Sequence, residues 1–162
     1  RKLSLKLKIY NMITIEDFKK KQSEPSRLIG LDLGSKRIGV SICDERQSIA
    51  TPFKTINKTN TNELITELQD IINEYEIKGI IIGNPINMDG SLGRSAQSVN
   101  DVSTNIDKSI DVDVCLWDER LSTVGAFNLS SQLDVNVSKR EKKIDQNAAA
   151  FILQGAIDFL NN

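Results

Sequence analysis

The chain has 162 residues, 39% hydrophobic and 27% charged, with a formal net charge of −1. That suits one globular domain with its own core and argues against a broad nucleic-acid footprint held by bulk positive charge. It contains no histidine, which excludes Ser-His-Asp and Cys-His catalysis, the H-E-x-x-H zinc motif and an imidazole base, and leaves carboxylates, lysine, hydroxyls or a hard metal such as Mg²⁺.

Residues 1–26 read as a basic, poorly ordered extension. Seven Lys/Arg stand against three acids there, a net of +4, which leaves −5 for the rest. Pro25 interrupts the pattern, and because Met12 precedes I-T-I-E-D-F, residues 1–11 are expected to be an upstream extension or a start-site artefact. No stretch has the h-region and cleavage site of a secretory signal, or the roughly 18 apolar residues that a bilayer requires. The cytoplasm is therefore the expected compartment, with no membrane partner. Cys43 and Cys115 end apolar runs and read as reduced, buried side chains.

An ordered domain is expected over 27–162. Three strands come first, at about 27–33, 37–43 and 48–55, the first two joined by a tight Ser35-Lys36-Arg37 turn. Leu64, Leu68, Ile71, Ile72 and Tyr75 predict a helix over 61–75. Ile80, Ile81 and Ile82 read as a buried parallel strand. A polar loop at 83–91 leads to a helix at about 94–108, whose face is Val99, Val102 and Ile106. A fifth strand is expected at 112–117, then a short helix to about 130 capped by Ser122 or Thr123. Residues 134–144 read as a mobile charged loop, and a last helix at 146–160 carries Ala148, Phe151, Ile152 and Phe159 on one side. The order predicts an α/β fold: a mixed five-stranded sheet of three antiparallel strands followed by parallel crossovers, with helices on both faces. Strand one is expected at the centre with parallel neighbours.

Asp32 stands in the first apolar strand, L-I-G-L-D-L-G. A lone carboxylate there is costly, and a metal ion is the strongest candidate partner. Gly30, Gly34 and Gly39 leave room for a ligand or another backbone. Glu119 follows the fifth strand and Asp145 opens the expected last helix, so all three acids could meet at the carboxyl ends of the strands. Two Mg²⁺ ions roughly 4 Å apart on such acids can run an in-line displacement at phosphorus. Duller readings compete: Asp145 as a helix N-cap, Glu119 as a solvated turn residue paired with Arg120, and Asp118 facing away from Glu119. Asn84, Asn87 and Ser91 either line a substrate entrance or serve as turn chemistry. Lys139, Arg140, Lys142 and Lys143 are either a solvated charge run or a phosphate grip.

Four segments together resemble the YqgF family of RNase H-like proteins, described as pre-16S rRNA nucleases and as Holliday-junction-resolvase-like. They are G-L-D-L-G-S-K-R-I-G-V (30–40), G-N-P-I-N-M-D-G-S (83–91), W-D-E-R-L-S-T (117–123) and K-I-D-Q-N-A-A-A-F-I-L (143–153). They fall in the family's order. The family loop usually has Leu where this chain has Asn84 and Ile86, which makes the loop more polar here.

The resemblance implies an RNase H-like fold, a Mg²⁺- or Mn²⁺-dependent phosphodiesterase with metal-binding acids at Asp32, Glu119 and Asp145, and a role in maturing the 5′ end of small-subunit rRNA. On this reading Asp32 bridges two cations. Lys36, Arg37, Arg120, Lys142 and Lys143, with Asn84, Asn87 and Ser91, are the candidate substrate contacts. Pre-rRNA is the favoured nucleic-acid partner, with structured DNA and the small ribosomal subunit as further ones. The alternatives are a Holliday-junction resolvase and a non-catalytic RNA-binding assembly module. An actin-like ATPase, suggested by D-L-G alone, needs about twice this chain length.

Overall fold

The computed structural model describes residues 12–85, 89, 90, 93–121 and 137–162, with backbone only for Arg94 and 137–142. Five strands form one sheet: β1 (Leu28–Leu33), β2 (Arg37–Cys43), β3 (Ala50–Asn57), β4 (Gly79–Asn84) and β5 (Asp113–Asp118). The spatial order is β3-β2-β1-β4-β5. β1 is central, as expected, but only β4 runs parallel to it. β2 is antiparallel, because the three-residue turn at 34–36 is far too short for a crossover. The mixed five-stranded sheet is otherwise the one the element order predicts, and Pro52 lies on the edge strand, where a missing N–H is tolerated.

Alternation along each strand divides the core into two layers. Ile29, Leu31, Ile38, Val40, Ile80 and Ile82 face α2 (Thr61–Tyr75) and α3 (Arg94–Ser109), packing on Leu64, Leu68, Val99 and Ile106. Leu28, Ile81, Cys115 and Trp117 face α4 (Val137–Leu160), packing on Ile152, Leu153, Ala156 and Ile157. Both cysteines are free. Burial pushes the Cys43 thiol up to about 11 and the Cys115 thiol up to about 12, so neither is a reactive thiolate.

Three expectations need correction. The last helix starts at Val137, so the charged stretch from 137 to 144 is helical rather than a loop. Lys, Arg and Glu are strong helix formers, and their charges stay compatible with a solvated helix. Its buried stripe is Ala149, Ile152, Leu153, Ala156, Ile157 and Leu160; Ala148, Phe151 and Phe159 are only half-buried. Phe159 instead meets Trp117 edge-on, at 6.1 Å between ring centroids.

Within the basic segment expected to lack order, α1 (Ile15–Lys21) is capped by the Thr14 hydroxyl, which accepts from the Asp17 N–H at 3.1 Å. It buries Ile15 and Phe18 in the α4-side core, and Lys21 pairs with Asp113 at 3.0 Å. Acids in its first turn and lysines in its last match the helix dipole. The readings of residues 1–11, of the helix at 122–130 and of the loop at 134–136 lie outside the described residues. No helix among those described is long and apolar enough to cross a membrane.

Candidate active site

Leu28, Gly30 and Asp32 alternate onto the α4 face of β1. α4 lies unusually close to this face because three small residues admit it. A Cβ at Gly30 would meet Leu153 Cβ at 2.7 Å and the Ala149 carbonyl at 2.8 Å. At Gly39, the β2 residue opposite Asp32, a Cβ would collide with the Asp145 carbonyl oxygen. Ser41, fully buried, donates its hydroxyl to the Ala149 carbonyl at 2.7 Å. These contacts seat the Asp145 turn of α4 directly over the Asp32 end of the hairpin.

Glu119 arrives from the other side. It opens a single 3₁₀ turn directly after β5, and Gly83 on β4 makes room for it: a Cβ at Gly83 would lie 3.0 Å from Glu119 Oε2. Asp118 alternates to the opposite side. It is held by Arg120, whose Nε donates to Oδ1 at 3.0 Å and whose Nη2 donates to Oδ2 at 2.7 Å. The expected Glu119–Arg120 pair is therefore replaced by Asp118–Arg120, and Glu119 makes no ion pair among the described residues.

The electrostatics follow from this crowding. Burial, reinforced by the negative charge of Asp145, raises the Asp32 carboxyl to about 6. Burial also pushes Glu119 up, with Asp32 and then Asp118 adding repulsion. Hydrogen bonds from Arg120 hold Asp118 below the usual carboxylate range. Asp145 accepts from Arg37 Nε at 2.6 Å, with both side chains mostly buried. Asp145 lies about two turns inside α4, so the N-cap reading does not hold.

The chemistry and charge of this set fit a hard divalent cation. Three carboxylates supply oxygen donors of the kind Mg²⁺ and Mn²⁺ take, and burial, followed by repulsion from neighbouring carboxylates, makes two of them ionise reluctantly. Among the described residues, however, no three acid or cysteine side chains stand close enough together to hold one metal ion as they are placed; Arg37 holds Asp145, so binding a cation requires these side chains to turn toward one another. Arg37→Ala is accordingly expected to lower the melting temperature of the cation-free protein by about 3–6 °C, from loss of one charge-assisted hydrogen bond. Added Mg²⁺ should recover more stability in this variant than in the wild type, as thermal melts with and without the cation would show.

The remaining candidates are distributed as follows. Lys36 is exposed in the β1–β2 turn, and Lys143 is exposed on α4 two residues before Asp145. Asn84 ends β4, with its side-chain oxygen buried and lacking a hydrogen-bond partner among the described residues. Asn87, Ser91 and the Lys142 side chain lie outside the described residues. Sequence reasoning missed the parts of Ser41 and Gly83 in shaping the site. Ser41 shares the alternation of Gly39, which is the available signal; in sequence Gly83 reads as the start of the polar loop at 83–91.

A family model described as RuvX, Holliday junction resolvase, matches residues 26–159. A Pelagibacter ubique protein named "Putative pre-16S rRNA nuclease" is 83% identical over 151 residues, which cover 93% of this chain and 100% of that protein. A Ruegeria pomeroyi protein with the same name is 42% identical over 149 residues, 92% of this chain and 97% of that one. Among solved structures, Thermus thermophilus RuvC aligns with a TM-score of 0.53 at 8% identity, covering 81% of this chain and 93% of that one. The yeast mitochondrial Holliday junction resolvase Ydc2 aligns with a TM-score of 0.52 at 12% identity, covering 91% and 84%. At such identities the likeness concerns the fold, which is the RNase H-like arrangement of sheet and helices.

Proposed function

Because this chain belongs to the RuvX family, we propose that it is a divalent-cation-dependent nuclease that cleaves phosphodiester bonds in pre-16S rRNA. The observation that carries this reading is Asp32: a carboxylate on the central strand, pushed up to about 6, with Glu119 and Asp145 within its electrostatic reach. The near-complete match to relatives named for pre-16S rRNA supports the substrate.

Asp32, Glu119 and Asp145 would hold the cation. A bound Mg²⁺ or Mn²⁺ supplies a water of lowered pKa and charge stabilisation at the leaving oxygen. The chain's own residues account for the rest. Gly39 and Gly83 fix how closely the second and third carboxylates approach Asp32. The α4 seat on β1 and β2 keeps the Asp32 side half-buried, so charges there act at greater strength than in water. Arg37 holds the Asp145 side chain in place through its Nε hydrogen bond. Lys36, Lys142 and Lys143 are the proposed phosphate contacts. Arg120 already holds Asp118 and so contributes its remaining donors at most.

The family's description as Holliday junction resolvases favours a second reading, a nuclease of branched DNA. Purified protein with Mg²⁺ or Mn²⁺ should be offered a 5′-extended 16S rRNA fragment, unstructured RNA and a four-way DNA junction. Cation-dependent cleavage of the rRNA fragment is expected. Cleavage confined to the junction selects the second reading, and RNA binding without any product would leave a non-catalytic assembly module.

A further inference from the structure

On the other side of the β1–β2 hairpin from Asp32, a cavity of about 720 Å³ opens between the hairpin, the start of α2 and the middle of α3. Its floor is aliphatic: Leu33, Ile38, Val99 and Val102. Its mouth is formed by the run from Asn57 to Asn62, rich in amides and hydroxyls. The acids of its wall are already engaged. Glu63 takes the Thr59 hydroxyl, and Glu67 takes Lys54 Nζ at 3.4 Å. The amide of Asn60 is spent on capping α2, accepting from the Glu63 N–H at 2.9 Å.

Two exposed lysines connect this cavity with the carboxylates. Lys58 stands on the rim, and its backbone N–H donates to the carbonyl of Lys36, in the hairpin turn, at 3.0 Å. Leu33 on the cavity floor directly follows Asp32 in β1. A chain crossing the turn would therefore pass from the acids, over two cations, into an apolar cavity with amides at its mouth.

Resting on the nuclease reading, we infer that this cavity receives an unstacked base of the single strand being cut, while Lys36 and Lys58 hold the adjoining phosphates. An apolar floor accommodates the flat face of a base, and the side-chain amides of Asn57 and Asn62 offer paired donors and acceptors to its edge. The cations match the phosphate charge that such a strand must carry past the turn. The volume lies within the range of small-ligand pockets and exceeds what one base needs, so part of the sugar enters too.

The test is the affinity of the full chain, in EDTA so that nothing is cut, for a fluorescein-labelled single-stranded RNA across a range of salt concentrations. Lys58→Ala should lower the slope of log affinity against log salt by about 0.7, the loss of one single-strand phosphate contact. Thr66→Trp places a ring over the cavity from an exposed helix position and should weaken binding at least about fivefold, the scale of one lost base stack. Val102→Trp fills the floor more directly, and Thr66→Trp guards against its misfolding. Wild-type slope and affinity in both Lys58→Ala and Thr66→Trp, with cation-dependent cleavage intact, would overturn the cavity assignment and leave the nuclease reading standing. No RNA binding and no cleavage by the wild type would overturn both.

Discussion

Asp32→Asn is expected to reduce cation-dependent cleavage by at least about 10²–10³-fold, the scale of removing one electrostatic stabiliser from a reacting centre. In the absence of cation it should also make the protein more stable at neutral pH. The Asp32 carboxyl has an ordinary value of 3.8 and stands at about 6 in the folded chain. Between those values the folded state binds the extra proton, so this group favours folding in acid. That contribution is lost as pH rises through 6. The gap corresponds to at most about 3 kcal/mol. Asparagine keeps the shape and removes the charge, so a gain of about 5 °C in melting temperature is expected at pH 8 and none at pH 4. Adding Mg²⁺ should reverse the order by stabilising only the wild type. An asparagine variant that melts below the wild type at pH 8 in EDTA would mean that Asp32 is not a strained acid.

Gly39→Ala should be the most damaging single-methyl change in the site. The added Cβ would strike the Asp145 carbonyl, which is backbone within a helix and cannot rotate away. α4 must lift from β2, loosening Ser41 from Ala149 and drawing Asp145 away from Asp32. Overpacking of this kind costs about 3 kcal/mol, so the melting temperature should fall by roughly 6–12 °C and cleavage should fall with it. Thr51→Ala, exposed on the edge strand, is the control and should stay within about 0.5 kcal/mol. Urea melts of the two variants, with midpoints compared at equal slopes, would decide it; equal stability of Gly39→Ala and wild type would contradict the close seat of α4.

The sheet was legible because its signals are local. Alternation, the triple isoleucine of β4 and the short turn after β1 each operate within a few residues, and together they mark the strands and the antiparallel half; the order β3-β2-β1-β4-β5 rests on pairings between distant segments. Asp32 was legible for a related reason, since an acid in an apolar strand has no local explanation. The pairing of Asp145 with Arg37 was not legible. It joins residues 108 apart in the chain and depends on a helix whose start the sequence hides, because a lysine-rich stretch suits a solvated loop and a solvated helix equally well. The phase of α4 is hidden for a similar reason. Alanine carries little hydrophobic signal, so Ala149 and Ala156, which let the helix approach the sheet, gave way to the larger Phe151 and Phe159. α1 was missed because a seven-residue helix with two buried side chains is held by packing rather than by periodicity.

Asp32, Glu119 and Asp145 are expected to bind a divalent cation together. Mn²⁺ binding to the purified protein, followed by the loss of the free-ion electron paramagnetic resonance signal, tests it without reference to any substrate. The wild type should bind Mn²⁺, and competition by Mg²⁺ should release it. The Asp32→Asn, Glu119→Gln, Asp145→Asn triple variant, which should remain folded, should bind none at the same concentrations. Undiminished Mn²⁺ binding by the triple variant would mean that these three acids do not hold the cation.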